Sequence, residues 1–179
     1  MTAIDTTAKA LQALRRQGGV LSSAELQELL GVSQPSVSRA LAPLLAEKPG
    51  ELVIANRTHG KAQQLAAEFN DLGALSARTY EQLAGPFDLI INSTSASLQG
   101  ELPPLAPALI HADIAIYDMM YGATDTAFIG WAKQHGARQT MDGLGMLVEQ
   151  AAEAFTVWRG IRPGTKQVLR ELKRNLGTL

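Results

Sequence analysis

The sequence predicts an α/β protein with a mainly parallel sheet, preceded by three helices. Three observations carry that reading. From residue 51 onward, short apolar runs of strand length alternate with helical patterns. Before residue 50 the apolar residues recur at helical spacing, with glycine stops between the runs. Hydrophobic residues make up 46% of the 179, enough for a packed core, but aromatics only 5%, so Ala, Leu, Val and Ile must build it.

The elements follow in order. Residues 6–17 carry Ala10, Leu11, Ala13 and Leu14 at helical spacing, and Gly18 with Gly19 stops the run. Ser22 or Ser23 caps a second helix with Leu26, Leu29 and Leu30 on one face, ending at Gly31. Ser33 caps a third, whose Pro35 sits in the first turn, where a missing N–H costs nothing. Residues 51–55 then form a buried-strand pattern, and 60–70 a helix with Ala62, Leu65, Ala66 and Phe69 inward. Strands are predicted near 74–77, at 88–92, at 114–117 and, more weakly, at 138–141. Helices are predicted near 80–83, at 126–135, at 145–158 and at 165–176.

Composition excludes several classes. With no Cys there is no disulfide frame, thiolate metal site or Cys nucleophile. A net charge of −1 excludes a generally basic nucleic-acid coat. The charge is uneven, however: residues 51–158 are net acidic and 159–179 net basic. The basic tail reads as a solvated helix face, with a polyanion contact as the other reading. No signal peptide or membrane span is evident, and a cytoplasmic setting is expected.

Two constellations carry chemistry. Residues 23–44 match a two-helix DNA-binding pattern, with Gly31 at the turn and Leu26, Leu30, Val32, Val37 and Leu41 packing the helices. The second helix would expose Gln34, Ser36, Ser38 and Arg39, side chains suited to base edges and phosphates. The run from Gly31 to Arg39 resembles the recognition segment of bacterial helix-turn-helix regulators. Gln27 departs from the small residue usual at that turn. A helical hairpin used only for packing is the alternative.

The second constellation lies at strand ends. Asn56, Arg57 and Thr58 follow the strand at 51–55, just before a helix, and ligands of open parallel sheets bind at such edges. A guanidinium there suits a ribose 2′-phosphate, whereas an acidic residue would suit the free hydroxyls of NAD. A solvated surface Arg is the other reading. Further edges carry Asn92 to Ser95, Asp118 to Tyr121, and Asp142 to Met146 with Gln150 a turn further on.

These segments resemble the C-terminal, cofactor-binding half of shikimate dehydrogenase over residues 41–176. The stretches are 55–58, 87–95, 117–121 and 142–150. The resemblance implies a Rossmann-like fold in which Asn56, Arg57, Thr58 and Lys61 grip the 2′-phosphate of NADP. It implies that Asn92, Ser93 and Thr94 line the nicotinamide side, with Met119, Gly143 and Met146 nearby. Tyr121 and Gln150 would reach toward shikimate.

The departures shape the functional expectation. Nothing corresponds to the family's substrate domain, with its catalytic lysine and aspartate, or to its first strand and glycine-rich turn. The expected organisation is a helix-turn-helix segment at 1–46 and a truncated NADP-binding region at 41–179, sharing one helix around 34–47. A junction inside a helix points to a chimera. Loss of a central strand would bring its neighbours together or leave unpaired edges, giving a rearranged sheet or a homodimer through those edges or through the helix-turn-helix. The expected function is a catalytically inactive fragment with weak or lost NADP binding and no catalytic residue of its own. DNA binding, or a folded hybrid with no activity, are the alternatives.

Other candidates are set aside. His59, His111 and His135 lack metal-ligand spacing, and Ser93 and Ser95 lack a nucleophile elbow, so no metal site or hydrolase is expected. Trp131 and Trp158 are expected in the core, Lys133 on the surface, and Asp118 and Asp142 as backbone caps.

Overall fold

The computed structural model describes residues 44, 45, 47–94, 96 and 100–177. The helix-turn-helix expectation, with Gln34, Ser36, Ser38 and Arg39, lies outside them, as does Ser95. The described elements are β1 (Leu52–Ala55), α1 (His59–Glu68), β2 (Leu75–Arg78), β3 (Leu89–Asn92), β4 (Ala115–Asp118), α2 (Ala127–Gln134), β5 (Gln139–Met141), α3 (Leu144–Arg159) and α4 (Thr165–Leu176). Single 3-10 turns stand at Tyr80–Gln82 and Pro107–Leu109. The fold is α/β.

The chain divides into two compact units, and the division falls at Ala77. In the first, β1 and β2 form a two-stranded sheet. The Leu52 N–H donates to the Ala74 carbonyl at 2.8 Å, and the Ser76 hydroxyl to Glu51 Oε1 at 2.6 Å. Helix α1 buries Ala62 and Ala66, one turn apart on one face. Leu45 is buried, and a Cβ on Gly73 would meet its Cδ2 at 3.0 Å.

In the second unit, β3, β4 and β5 form a parallel sheet in that order. Asn92 stands level with Asp118, and Tyr117 with Met141, so the strands end together at one edge. The core gathers Ile110, Ile114, Ile116, Phe128, Ala132 and Ala137. Phe128 and Ala132 lie one turn apart on α2, which presents them to the strands' apolar face. The Thr126 hydroxyl caps α2 by accepting from the Ile129 N–H at 3.2 Å. Helix α3 buries Leu144, Val148 and Ala152 at four-residue spacing and stops at Gly160, whose φ of 73° is left-handed. Arg162 folds back onto α3 and pairs with Glu149 and Glu153.

One expectation needs correction, and of the two alternatives for the missing strand one is not seen: β1 and β3 are neighbours in neither sheet among the described residues. Trp158 is not in the core; it is 75% exposed. It lies six residues past Ala152, off the buried stripe, and so points away from the packed face. Trp131 is half-buried and stacks on Phe128 with ring centroids 5.9 Å apart.

Candidate functional site at the strand ends

The first unit offers one strand end. β1 stops at Ala55, and Asn56 turns the chain: its Oδ1 accepts the Thr58 N–H at 2.9 Å. This local bond is the reason an Asn suits that position. Thr58 is the extended N-cap residue of α1, and its side chain makes no capping bond. Arg57, Thr58 and Lys61 are exposed within one turn, and the first turn of α1 has no acidic residue. Arg57 and Lys61 make no ion pair among the described residues. Two free cations and a hydroxyl beside a helix N-terminus form an anion-receptive corner. His59 is half-buried, and its Nδ1 has no partner among the described residues.

The second unit gathers most of the other candidates at the C-terminal edge of its sheet. Asn92 is 4% exposed and Asp118 0%. Asn92 Nδ2 donates to Asp118 Oδ1 at 3.2 Å. Asn92 Oδ1 accepts from the Thr94 N–H at 3.1 Å and from the Thr94 hydroxyl at 2.8 Å. The Met120 N–H donates to Asp118 Oδ1 at 3.1 Å, and the Thr126 hydroxyl to Asp118 Oδ2 at 2.6 Å. The Met119 N–H donates to the Asn92 carbonyl at 2.9 Å. One continuous polar chain thus runs across the ends of β3 and β4 to the cap of α2.

Gly143 closes this edge. Its N–H donates to the Met120 carbonyl at 3.0 Å, and a Cβ placed on it would stand 2.0 Å from the Met119 carbonyl oxygen. No side chain fits there, so the glycine is required by close backbone approach. Asp142 caps the start of α3, accepting the Leu144 N–H at 3.2 Å. Burial pushes the Tyr117 hydroxyl above its ordinary pKa, and the Asp142 carboxylate pushes it further the same way.

The predicted residues therefore separate into two groups. Asn92, Thr94, Met119 and Gly143 are linked by the contacts above, and Ser93 is exposed beside them. Met146 is half-buried in the first turn of α3, and Gln150 is exposed one turn on, along the same face. Tyr121 is 42% exposed, and neither its side chain nor that of Gln150 makes a hydrogen bond among the described residues. Asn56, Arg57, Thr58 and Lys61 form the other group. No cluster of three or more metal-ligating side chains occurs among the described residues. Likewise, no described helix is long and apolar enough to cross a membrane.

Sequence reasoning gave Asp118 too small a part. A period-two signal could have found it: Ile114, Ile116 and Asp118 share one face of β4 and are 0%, 1% and 0% exposed. A carboxylate in phase with two buried isoleucines must be buried, and so must find donors. Thr126, one of those donors, was legible only as the start of a helix.

Residues 33–99 match the family model described as Shikimate / quinate 5-dehydrogenase. Residues 143–173 match that of the Shikimate 5′-dehydrogenase C-terminal domain. The chain is 88% identical over 140 residues to the shikimate dehydrogenase (NADP(+)) of Aeromonas salmonicida, a match covering 78% of this chain and 51% of that protein. It is 54% identical over 136 residues to the enzyme of the same name from Vibrio cholerae, covering 76% and 49%. The chain thus spans about half the length of the curated relatives it matches. Among solved structures it resembles the shikimate 5-dehydrogenase of Thermus thermophilus in complex with NADP(H) and shikimate. There the TM-score is 0.61 at 31% identity, covering 77% of this chain and 51% of that one. An Ael1 enzyme from Pseudomonas putida gives a TM-score of 0.65 at 46% identity, covering 74% and 49%. The matched segments contain both strand-end groups except residues 117–121, and over those segments the chain is similar to shikimate dehydrogenases, on a Rossmann-like α/β fold.

Proposed function

We propose that this chain is an NADP-binding fragment of a shikimate dehydrogenase, inactive by itself. The observation that carries the reading is Arg57 and Lys61, exposed and without an ion pair among the described residues, at the turn that Asn56 shapes. Their donor set fits a 2′-phosphate, which a planar guanidinium grips through charge-assisted bonds. The Thr58 hydroxyl adds a further donor. Met119, Gly143 and Met146 border the nicotinamide side, with Asn92, Ser93 and Thr94. Tyr121 and Gln150 serve the shikimate side. In an intact enzyme of that kind the bound nucleotide would supply or accept the hydride in the interconversion of 3-dehydroshikimate and shikimate.

This sequence has no counterpart of the family's catalytic lysine and aspartate. A positioned acid–base group is worth about 10²–10⁴-fold in rate. Nor is there a glycine-rich turn to offer backbone N–H groups to the pyrophosphate. Binding is therefore weak, and turnover is absent. The fragment is joined to a helix-turn-helix-like N-terminal segment in a chimera; what supports this reading is the sequence pattern alone, whose junction falls inside one helix around 34–47. Gln34, Ser36, Ser38 and Arg39 fall within the matched stretch, which weighs against their serving DNA. The setting is cytoplasmic, in keeping with a chain free of Cys.

The test is an assay of shikimate oxidation with NADP, followed by the absorbance of the reduced nucleotide. The expected result is no rate above the protein-free control. A rate near that of an intact family enzyme would overturn the inactivity.

A further inference from the structure

We infer that the outer edge of β3 is a self-pairing surface, through which two copies of this chain join antiparallel about a two-fold axis at Ile90. The inference stands apart from the cofactor reading above.

The direction of the backbone bonds comes first. The Asp88 carbonyl accepts the Ala115 N–H, and the Asn92 carbonyl accepts the Met119 N–H, both at 2.9 Å. Backbone groups alternate sides along a strand, so Asp88, Ile90 and Asn92 turn theirs toward β4. Leu89 and Ile91 turn theirs outward, where neither makes a hydrogen bond among the described residues. Such a row of backbone groups is a template for another strand, and charge, Pro or shortness commonly blunts it. The other edge of this sheet is blunted: β5 has three residues, Gln139, Thr140 and Met141, with Arg138 before them. β3 reads Leu-Ile-Ile-Asn, with no charge and no Pro, and Leu89 is 43% exposed.

The occupant follows from the pattern of β3 itself. Leu89 opposite Ile91 of a second copy is a hydrogen-bonded antiparallel pair that exchanges both of its bonds, and the two-fold axis repeats it. Ile90 then meets Ile90 of the second copy at the axis. Every outward backbone group of the strand is satisfied, and each of these cross-strand pairs is apolar. Leu89 and Ile91 share one face, and Ile90 lies on the other, where it already packs against the core. Asp88 falls opposite Asn92, so like charges do not meet. A slide of two residues in either direction puts the Asp88 carboxylate or the Asn92 amide opposite Ile90, so the register is specified.

The test is sedimentation equilibrium of the whole chain over about 10 to 500 micromolar, where modest interaction energies register. A reversible monomer–dimer equilibrium is expected. Leu89→Pro removes an outward N–H that the fold does not use, and with it half of the bonds between copies. It is expected to keep the far-UV circular dichroism and to raise the dimer dissociation constant about tenfold or more. Ile90→Cys reads the register and serves if Leu89→Pro fails to fold. The chain has no Cys, so the new thiol can meet only its own copy. Across a non-hydrogen-bonded antiparallel pair the Cα atoms stand about 4.5 Å apart, within disulfide reach. With glutathione disulfide as the oxidant, Ile90→Cys is expected to run as a covalent dimer on a non-reducing gel. Val168→Cys, on the exposed side of α4, is the collision control and is expected to run as a monomer. A chain that stays monomeric at every concentration would overturn the inference. So would a dimer that Ile90→Cys does not cross-link, or one that Val168→Cys links instead, since either places the contact elsewhere.

Discussion

Gly143 shows how tightly one residue is specified at the strand ends. A methyl group on it would collide with the Met119 carbonyl oxygen at 2.0 Å, and both sides of the collision are backbone. Backbone cannot step aside as a flexible side chain can. Gly143→Ala is expected to destabilise the chain by about 3 kcal/mol or more, the upper end of overpacking costs. Urea denaturation checks this; a midpoint unchanged from the parent would contradict it. Residue-level legibility was mixed. Asn56 announced itself, because an Asn between a strand and a helix favours the local turn observed there. Asp118 was read as a cap, and it does accept the Met120 N–H, yet its larger part is to join Asn92 and Thr126. Those partners are 26 and 8 residues away. Side-chain bonds between elements follow from strand register, which no single segment encodes.

At the scale of elements, helix α2 joins the cap to the core. Thr126 fixes its start, and Phe128, Ile129 and Ala132 are buried along it. Phe128 is 0% exposed, stacked on Trp131 and packed in the cluster with Ile114 and Ile116. Phe128→Ala is expected to cost about 3–5 kcal/mol, the usual range for emptying a buried aromatic site. Denaturation followed by Trp fluorescence measures it, and a loss below 1 kcal/mol would contradict a close-packed position. Element positions were largely legible. The strand predicted at 88–92 is observed at Leu89–Asn92, and the helix predicted at 165–176 is Thr165–Leu176. The strand is a short unbroken apolar run, and the helix has strong periodicity with a marked stop at Gly177. Sheet composition was not legible. Residues 52–55 and 89–92 are similar apolar runs, and nothing local tells which neighbours each will pair with.

For the molecule as a whole, the division of labour matters most. The Arg57 corner belongs to the first compact unit and the Asn92–Asp118–Gly143 edge to the second. Each is complete in its own local bonding. Trp158, with Ile161 70% exposed nearby, shows why the overall surface escaped sequence reading. A large apolar residue on a helix is expected inside, but Trp158 stands six residues past Ala152, the last buried position of the helix, and so off that residue's face. The central claim is that the Arg57 corner still receives the 2′-phosphate of a dinucleotide. Calorimetric titration with NADP and with NAD, on the parent chain and on Arg57→Ala, tests it most directly. The account predicts weak binding of NADP, in roughly the micromolar to millimolar range of modest interaction energies, lost in Arg57→Ala and absent for NAD. Binding of NAD as tight as that of NADP, or NADP binding indifferent to Arg57→Ala, would contradict it.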